Sequence, residues 1–294
     1  MKELITMSNL PDTLYVELSK EDQRKLWRKL QTISVKALAE KLKIPVRNLY
    51  KYKENNSGYP INVLRKLIEL TGLTPEILTV KTQRASEPIK DCKLPICLTE
   101  DFTEFLGYLM GDGGIDFQLG VHFTTDNLED INRFKELVQK IFGSIKFQFK
   151  NYKTRYTLYY PKTLGILLTK VIGLPKGSKV ESELAVPEKL IQDFNDPLKV
   201  KFIKAFYECD GFATEIGIGQ AGKNLEAPPK VLLQLKSFLE ALGFSSSYIK
   251  KSTNYITPKT KKLRSRWVLK IKDKEEKKKF ILLIAPKKFK GYVS

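Results

Sequence analysis

Apolar positions along the chain fall into two regimes. Over the first 80 residues they recur at helical spacing, with Leu26, Trp27 and Leu30 following a start signal at Ser19 and Asp22, and Ala37, Leu38, Ala39 and Leu42 following Ser34. Serine hydroxyls satisfy the free amides at helix starts, so these two serines mark helices opening near residues 20 and 35. A tight turn at Lys43, Ile44 and Pro45 leads into a short helix over 46–53, with Pro45 at its start and Leu49 as its inward anchor. Another helix is expected over 61–70, ending at Thr71 and Gly72. Residues 81–99 contain Pro88 and Pro95 and little periodicity, and are expected to form a linker.

From residue 100 the pattern changes to alternating blocks, and it occurs twice. A helical segment ending in FLGYLMGDG (105–113) is followed by short alternating runs over 114–117 and 120–125 and an amphipathic helix over 128–142 closed by Gly143. Strands over 145–149 and 155–160 and a helix over 163–171 complete the series. The second series opens on IKAFYECDG (203–211). It continues with a strand pair around 216–220, a helix over 230–242 closed by Gly243, strands over 246–250 and 266–271, and a helix over 275–284. Arg155-Tyr156 corresponds to Arg266-Trp267, and the Pro-Lys-x-x-Lys at Pro175 recurs at Pro286. The offset between copies grows from 98 residues at the aspartates to 111 at these prolines, the extra length falling in the basic stretch 253–264. The fold class is therefore α+β: an all-α domain over 1–80, the linker, and two repeats over 100–195 and 196–294.

The two Asp-Gly segments carry the candidate chemistry. Gly107 with Gly111, and Ala205 with Cys209, lie four residues apart, so each pair lines one helix face and lets two helix backbones approach closely. Asp112 and Asp210 fall in the last helical turn, where the dipole is already negative, and Gly113 and Gly211 are expected to take the left-handed cap. Two carboxylates brought together at such a seam repel, and a divalent cation with oxygen ligands is the natural compensation. The backbone carbonyls of Gly111 and Cys209 stand beside the acids as further hard donors, which favours Mg²⁺ (or Mn²⁺) over Zn²⁺.

Composition narrows the chemistry further. The 294 residues carry 52 Lys and Arg against 33 Asp and Glu, a formal charge of +19, and residues 250–294 alone hold 16 basic against 3 acidic side chains. Such self-repulsion points to a polyanionic partner, nucleic acid or an anionic membrane, with a solvated basic face as the plainer alternative. No stretch of about 18 apolar residues and no signal-like N-terminus occurs, so a cytoplasmic protein without membrane association is expected. Three cysteines, Cys92, Cys97 and Cys209, show no paired spacing and indicate neither a disulfide framework nor a zinc site. His122 is the only histidine, which removes Ser-His-Asp and Cys-His catalysis and leaves acids and lysines. An ordinary polar surface position is expected for it.

Paired helices ending in Asp-Gly, each followed by strand, strand, helix, strand, strand, helix, resemble the LAGLIDADG homing endonucleases in their single-chain, two-repeat form. The resemblance covers residues 100–294 and includes the tract GLPKGSKVESELAVPEKL. It implies two pseudo-symmetric αββαββα halves that form saddles on DNA, joined through the two motif helices, with Asp112 and Asp210 as the catalytic acids. It also implies supporting polar groups near Asp126 and Lys223. Lys176, Lys179, Lys287 and Lys290 occupy equivalent helix-end positions and are candidates for charge stabilisation, with simple phosphate contact as the alternative. Alternation along the strands adds Arg155, Tyr156, Arg266 and Lys270 as candidate DNA contacts.

The N-terminal stretch SVKALAEKLKIPVRNLYKYK resembles helix-turn-helix domains of the phage-repressor type, with Lys43 where Gly or Asn is usual. Arg47, Asn48, Tyr50 and Lys51 then form the recognition face. A small bundle for protein contacts is the alternative. The expected function is site-specific cleavage of double-stranded DNA by a free-standing monomer. A non-cleaving DNA-binding regulator and an RNA-splicing helper that binds structured RNA are the other readings.

Overall fold

The computed structural model describes residues 2–54, 57–83, 87–258 and 260–289. The N-terminal region opens with β1 (Glu3–Ile5), a 3-10 turn and β2 (Leu14–Leu18). Four helices follow, interrupted by one short strand: α1 (Lys20–Lys29), α2 (Val35–Leu42), α3 (Val46–Lys53), β3 (Tyr59–Pro60) and α4 (Ile61–Thr71). The Ser19 and Ser34 hydroxyls accept the amides of Asp22 and Ala37, so both capping signals act where the sequence placed them. Lys43 takes the left-handed conformation at the end of α2, at φ 57°, and Gly72 does so after α4.

This region is not all-α. β2 carries its apolar residues at alternate positions, buries Leu14, Val16 and Leu18, and pairs with β4 (Ile77–Thr82). Nor are residues 81–99 a plain linker, since they contain β5 (Ile89–Lys90) and β6 (Ile96–Cys97). β6 pairs with β1. β5 bridges β4 to β9 (Ser144–Ile145), which belongs to the first repeat, so one antiparallel five-stranded sheet in the order β3-β2-β4-β5-β9 joins the N-terminal region to that repeat. Backbone amides that a free linker would leave to water are here paired between strands.

The first repeat comprises α5 (Glu100–Gly111), β7 (Gly113–Ile115), β8 (Val121–Thr125), α6 (Leu128–Phe142), β9, β10 (Gln148–Tyr152), β11 (Arg155–Tyr160) and α7 (Lys162–Ile166), which continues as a π-helical turn to Ile172. A short helix α8 (Glu188–Ile191) leads to the second repeat: α9 (Asp196–Asp210), β12 (Gly217–Gly222), α10 (Lys230–Ala241), β13 (Ser247–Ile256), β14 (Leu263–Ile271) and α11 (Lys274–Ile284). The sheets run β10-β11-β8-β7 and β12-β14-β13. The expected second strand pair near 216–220 is a single strand, its partner reduced to one bridge between Gly211 and Ile218. The basic stretch 253–264 is largely the end of a long hairpin, with Ile256 opposite Leu263.

α5 and α9 are apolar around most of their circumference because each packs against its own sheet on one side and against the other helix on the opposite side. At the seam, a Cβ on Gly107 would fall 2.8 Å from the Cβ of Ala205, and one on Gly111 would fall 2.7 Å from the sulfur of Cys209. Only glycine admits such an approach. Under α5 the rings of Phe105, Phe123, Phe134 and Phe142 form a cluster, Phe123 and Phe134 stacking at 4.4 Å. Phe194, Phe202 and Phe238 do the same under α9. Among the described residues no helix is long and apolar enough to cross a membrane.

Candidate active site

Asp112 caps the end of α5 and Asp210 is the last residue of α9, so the seam delivers both carboxylates to one end of the helix pair. The glycines that follow do not act as left-handed caps. Gly211 is extended at φ −72°, and Gly113 lies in β7. Their constraint is space: a Cβ at Gly113 would meet the Leu109 Cα at 2.8 Å, and one at Gly211 would meet the Tyr207 ring at 2.6 Å. The chain turns directly from helix into sheet, leaving no room for a side chain.

Carboxylates at helix C-termini face the negative end of the dipole, and two lysines answer that charge. Lys179 donates its ammonium to the Gly111 carbonyl, and Lys288 donates to the Cys209 carbonyl at 2.6 Å. These are the carbonyls preceding the two acids, free because helix ends lack intrahelical donors. Both are the carbonyls expected beside a metal, and each accepts a lysine ammonium. Gln220 on β12 donates to Asp210 at 2.6 Å.

Burial pushes the Asp210 carboxyl up to about 6; the Lys179 ammonium opposes the shift and the Asp112 charge adds to it. Burial likewise raises Asp112, with Lys179 and Lys288 opposing and Asp126 adding to the rise. The Lys179 ammonium is shifted down by burial, against the pull of Asp210, Cys209 and Asp112. Each group is held away from its ordinary ionisation by loss of water and restrained by an opposite charge beside it.

On the Asp112 side these residues open into a cleft of about 1250 Å³, lined by the β8 face at His122 and Thr124, by Asp126, Asp130 and Arg155, and by Lys179, Glu208 and Lys288. His122 therefore belongs to the cleft wall rather than to open surface, and burial lowers its proton affinity, Lys179 adding to the effect. Asp130 is nearly buried at 9% exposure and accepts the Tyr108 hydroxyl at 3.4 Å.

The other expected site residues are dispersed. Lys176 is exposed and does not line the cleft. Lys287 lines it and donates to Glu129 at 3.2 Å, while Lys290 lies outside the described residues. Lys288, two positions before the one the repeat alignment selects, stands opposite Lys179 in the pseudo-symmetric arrangement, following closely on the left-handed turn at Ala285 (φ 46°), whereas Lys179 follows its counterpart turn at Gly173 (φ 92°) through a longer loop. Tyr156 lies on the helix-facing side of its sheet, stacked on Phe149, so it is a packing residue and not a cleft contact. Arg155 reaches the cleft and Arg266 is exposed on β14. Lys223 pairs with Glu183 at 3.1 Å, and Lys270 pairs with Glu215. Arg47, Tyr50 and Lys51 are exposed on α3, Asn48 is half-buried, and Leu49 and Tyr52 face inward. Gln220, Glu208 and Lys288 were not singled out from sequence. The doublet Lys287-Lys288 was the available signal for the last.

Among the described residues no cluster of three or more His, Cys, Asp or Glu side chains is arranged to hold a metal. Two carboxylates this close, with the Asp112 charge raising the proton affinity of Asp210, nonetheless fit Mg²⁺, which binds through one or two carboxylates and completes its shell with water and phosphate oxygens.

No family model matches the chain. A 127-residue segment is 31% identical to an A-type ATP synthase subunit of Pyrococcus abyssi, covering 43% of this chain and 12% of that one. A 114-residue segment is 29% identical to the replication factor C small subunit of Methanocaldococcus jannaschii, covering 38% of this chain and 6% of that one. The chain thus spans a small fraction of both relatives. Among solved structures, mesophilic variants of the homing endonuclease I-DmoI align over 66% of this chain and 93% of theirs, at 18% identity and a TM-score of 0.42. Other I-DmoI structures hold DNA with manganese or calcium. The N-terminal LAGLIDADG domain of DUF199/WhiA aligns over 65% of this chain and 86% of that one, at 14% identity and a TM-score of 0.39. The α+β fold rests on the chain's own repeated element order and antiparallel sheets, with these proteins as its distant likenesses.

Proposed function

We propose that the chain is a site-specific double-strand DNA endonuclease of the LAGLIDADG homing type, dependent on Mg²⁺ or Mn²⁺. The observation that carries this reading is the convergence of Asp112 and Asp210 at the ends of two packed helices, each beside a lysine held on the preceding carbonyl. A fold kept only to grip DNA has no physical reason to retain two half-buried, mutually repelling acids next to a phosphate backbone. When bound, the cation would lower the pKa of a water and offset charge on the phosphoryl oxygens, with Asp112 and Asp210 as its ligands. The carboxylates fix the charge of the site, and the ammoniums of Lys179 and Lys288, held beside them, would offset negative charge growing on the phosphate. Hydrolysis adds a water oxygen to phosphorus and breaks one ester P–O bond. The proton lost by water passes to solvent, and the departing oxygen takes one from an ammonium or from solvent.

The exposed face of α3, with Arg47, Tyr50 and Lys51 and the half-buried Asn48 at its edge, supports a second contact in a major groove, and Arg155 and Arg266 support contacts along the sheets. A single chain carrying both halves suits an asymmetric site bound as a monomer, in the cytoplasm. The test is incubation with plasmid libraries and Mg²⁺, wild type beside Asp112→Asn and Asp210→Asn. Cleavage at discrete sites that both substitutions abolish supports the endonuclease. Sequence-specific binding without cleavage under Mg²⁺ or Mn²⁺ identifies a regulator instead, and specific affinity for structured intron RNA without DNA cleavage identifies a splicing helper.

A further inference from the structure

α11 ends at Ile284, and after the left-handed turn at Ala285 the chain passes through Pro286 to two residues whose amides have no helix or sheet partner. Both amides donate to one carboxylate. Lys287 N reaches Glu208 Oε1 at 2.6 Å and Lys288 N reaches Glu208 Oε2 at 2.9 Å. Hydrogen bonds from amides to an ionised acceptor are the stronger kind, and two from successive residues fix the direction of the chain between them. The residue after Glu208 is Cys209, whose carbonyl receives the Lys288 ammonium. One turn of α9 therefore holds both the backbone and the side-chain end of Lys288.

The first repeat has no counterpart of this clasp. Met110 occupies the position equivalent to Glu208 and is buried at 2% exposure, and Lys179 is placed by its own loop, where Leu184 N donates to the Lys179 carbonyl. Lys288 and Glu208 both line the cleft that contains Asp112, and Asp210 does not line it. Lys287 adds a tie across the halves through Glu129.

We infer that Glu208 is a positioning residue for Lys288, and that one of the two strand cuts depends on this clasp while the other does not. The inference rests on the endonuclease reading. Loss of the Glu208 carboxylate frees two amides and leaves the Lys288 ammonium without a fixed origin. A misplacement of about 1 Å in such a group costs up to ~10²-fold in rate. Because only the second repeat carries the clasp, Met110 standing where Glu208 would be in the first, the consequence is a slow second nick rather than uniform loss.

A supercoiled plasmid bearing one recognised site reports both cuts, passing from supercoiled to nicked to linear. For Glu208→Ala the nicked form is expected to accumulate, with the second cut slowed ~10- to 100-fold and the first near the wild-type rate. Lys288→Met is expected to do the same, and the double variant to be no slower than Lys288→Met alone, since both substitutions remove one device. Glu208→Gln, which keeps acceptor oxygen without charge, is expected to lie between wild type and Glu208→Ala, and serves as the readout if the alanine variant does not fold. Hydrogen exchange over 285–289 should accelerate in Glu208→Ala while α5 and α9 keep their protection. Wild type that leaves the plasmid intact overturns the endonuclease reading and this inference with it. Wild type that cuts, beside a folded Glu208 variant that makes both nicks at wild-type rates or slows both equally, overturns the inference alone, as does an additive double variant.

Discussion

Lys288 donates its ammonium to the carbonyl of Cys209 at 2.6 Å, one residue before Asp210, as Lys179 does to the carbonyl of Gly111, one residue before Asp112. The two helices thus end alike: a carbonyl capped by a lysine, then an acid, then a glycine with no room for a side chain. The lysines come from segments remote in sequence, so the likeness is a property of the folded pair.

The first prediction separates these lysines from the other basic residues near the cleft. Lys179→Met should lower cleavage by about 10²-fold at saturating DNA, the size seen when one preorganised charge donor is removed, and Lys288→Met should lower the formation of linear product by up to about 10²-fold through its second cut. Lys287→Met should instead weaken binding and flatten its salt dependence while changing the turnover rate little, because its side chain faces Glu129 at the rim. Single-turnover cleavage beside anisotropy titrations over a range of salt would distinguish the two patterns.

Stability should carry the signature of Asp210. Its folded pKa is raised from 3.8 to about 6, so between those values the folded protein holds more protons than the unfolded chain, and stability falls as pH rises through that window. Without divalent ions, Asp210→Asn should match wild type near pH 4 and be more stable by on the order of 2 kcal/mol at pH 7, the difference levelling off above the folded pKa. Urea titrations from pH 4 to pH 8 measure the difference directly. Adding Mg²⁺ at pH 7 should stabilise wild type and not the variant, since an ion that binds only the folded state shifts the equilibrium toward it.

At the seam, Gly111→Ala places a methyl group 2.7 Å from the Cys209 sulfur, where neither helix can retreat without opening its own aromatic cluster. A loss of about 3 kcal/mol is expected, the upper end of overpacking costs. Cys209→Gly in the same chain removes the opposing sulfur and should recover part of it, less about 1 kcal/mol for a glycine within a helix. Coupling in a double-mutant cycle by urea denaturation checks the contact.

The legible part of this chain was its periodic part. α6 and α11 were placed from apolar spacing, and α1 and α2 from their serine caps. The acids were legible because a duplicated Asp-Gly ending is a pattern in itself. Lys288 was not, because alignment by residue count carries Pro175-x-x-x-Lys179 onto Lys290, while the shorter path after the left-handed turn at Ala285 brings a lysine two positions earlier to the carbonyl. Glu208 was invisible for a related reason: its partners are backbone amides, which leave no mark on composition. The strands of the N-terminal region divide the same way. The alternation Leu14, Val16, Leu18 was present but lay just before a strong helical run, whereas β5 and β9 are two residues long and exist only through pairing with strands remote in sequence, β5 with β4 and β9, and β9 with β5.

That pairing supplies the last prediction. If residues 81–99 merely tethered two independent bodies, deleting everything before residue 99 would leave the repeats as stable as in the full chain. In the structure, deletion removes the partner of β9, exposes Ile145, which is otherwise 8% accessible, and frees the first-repeat elements that lean on this region. Thr163 loses its bond to the Glu87 carbonyl, and Lys189 and Asp193 lose their ties to Lys2. A chain beginning at residue 75 keeps β4, β5 and β6, and with them the cover over β9, although β1 is gone. The expected order of melting temperature is therefore full chain, then the chain from 75, then the chain from 99, with the last step at least several degrees, since each kcal/mol corresponds to roughly 2–4 °C at this size. Calorimetry on the three chains decides it: equal melting temperatures for the two truncations would mean that β5 adds nothing to the first repeat.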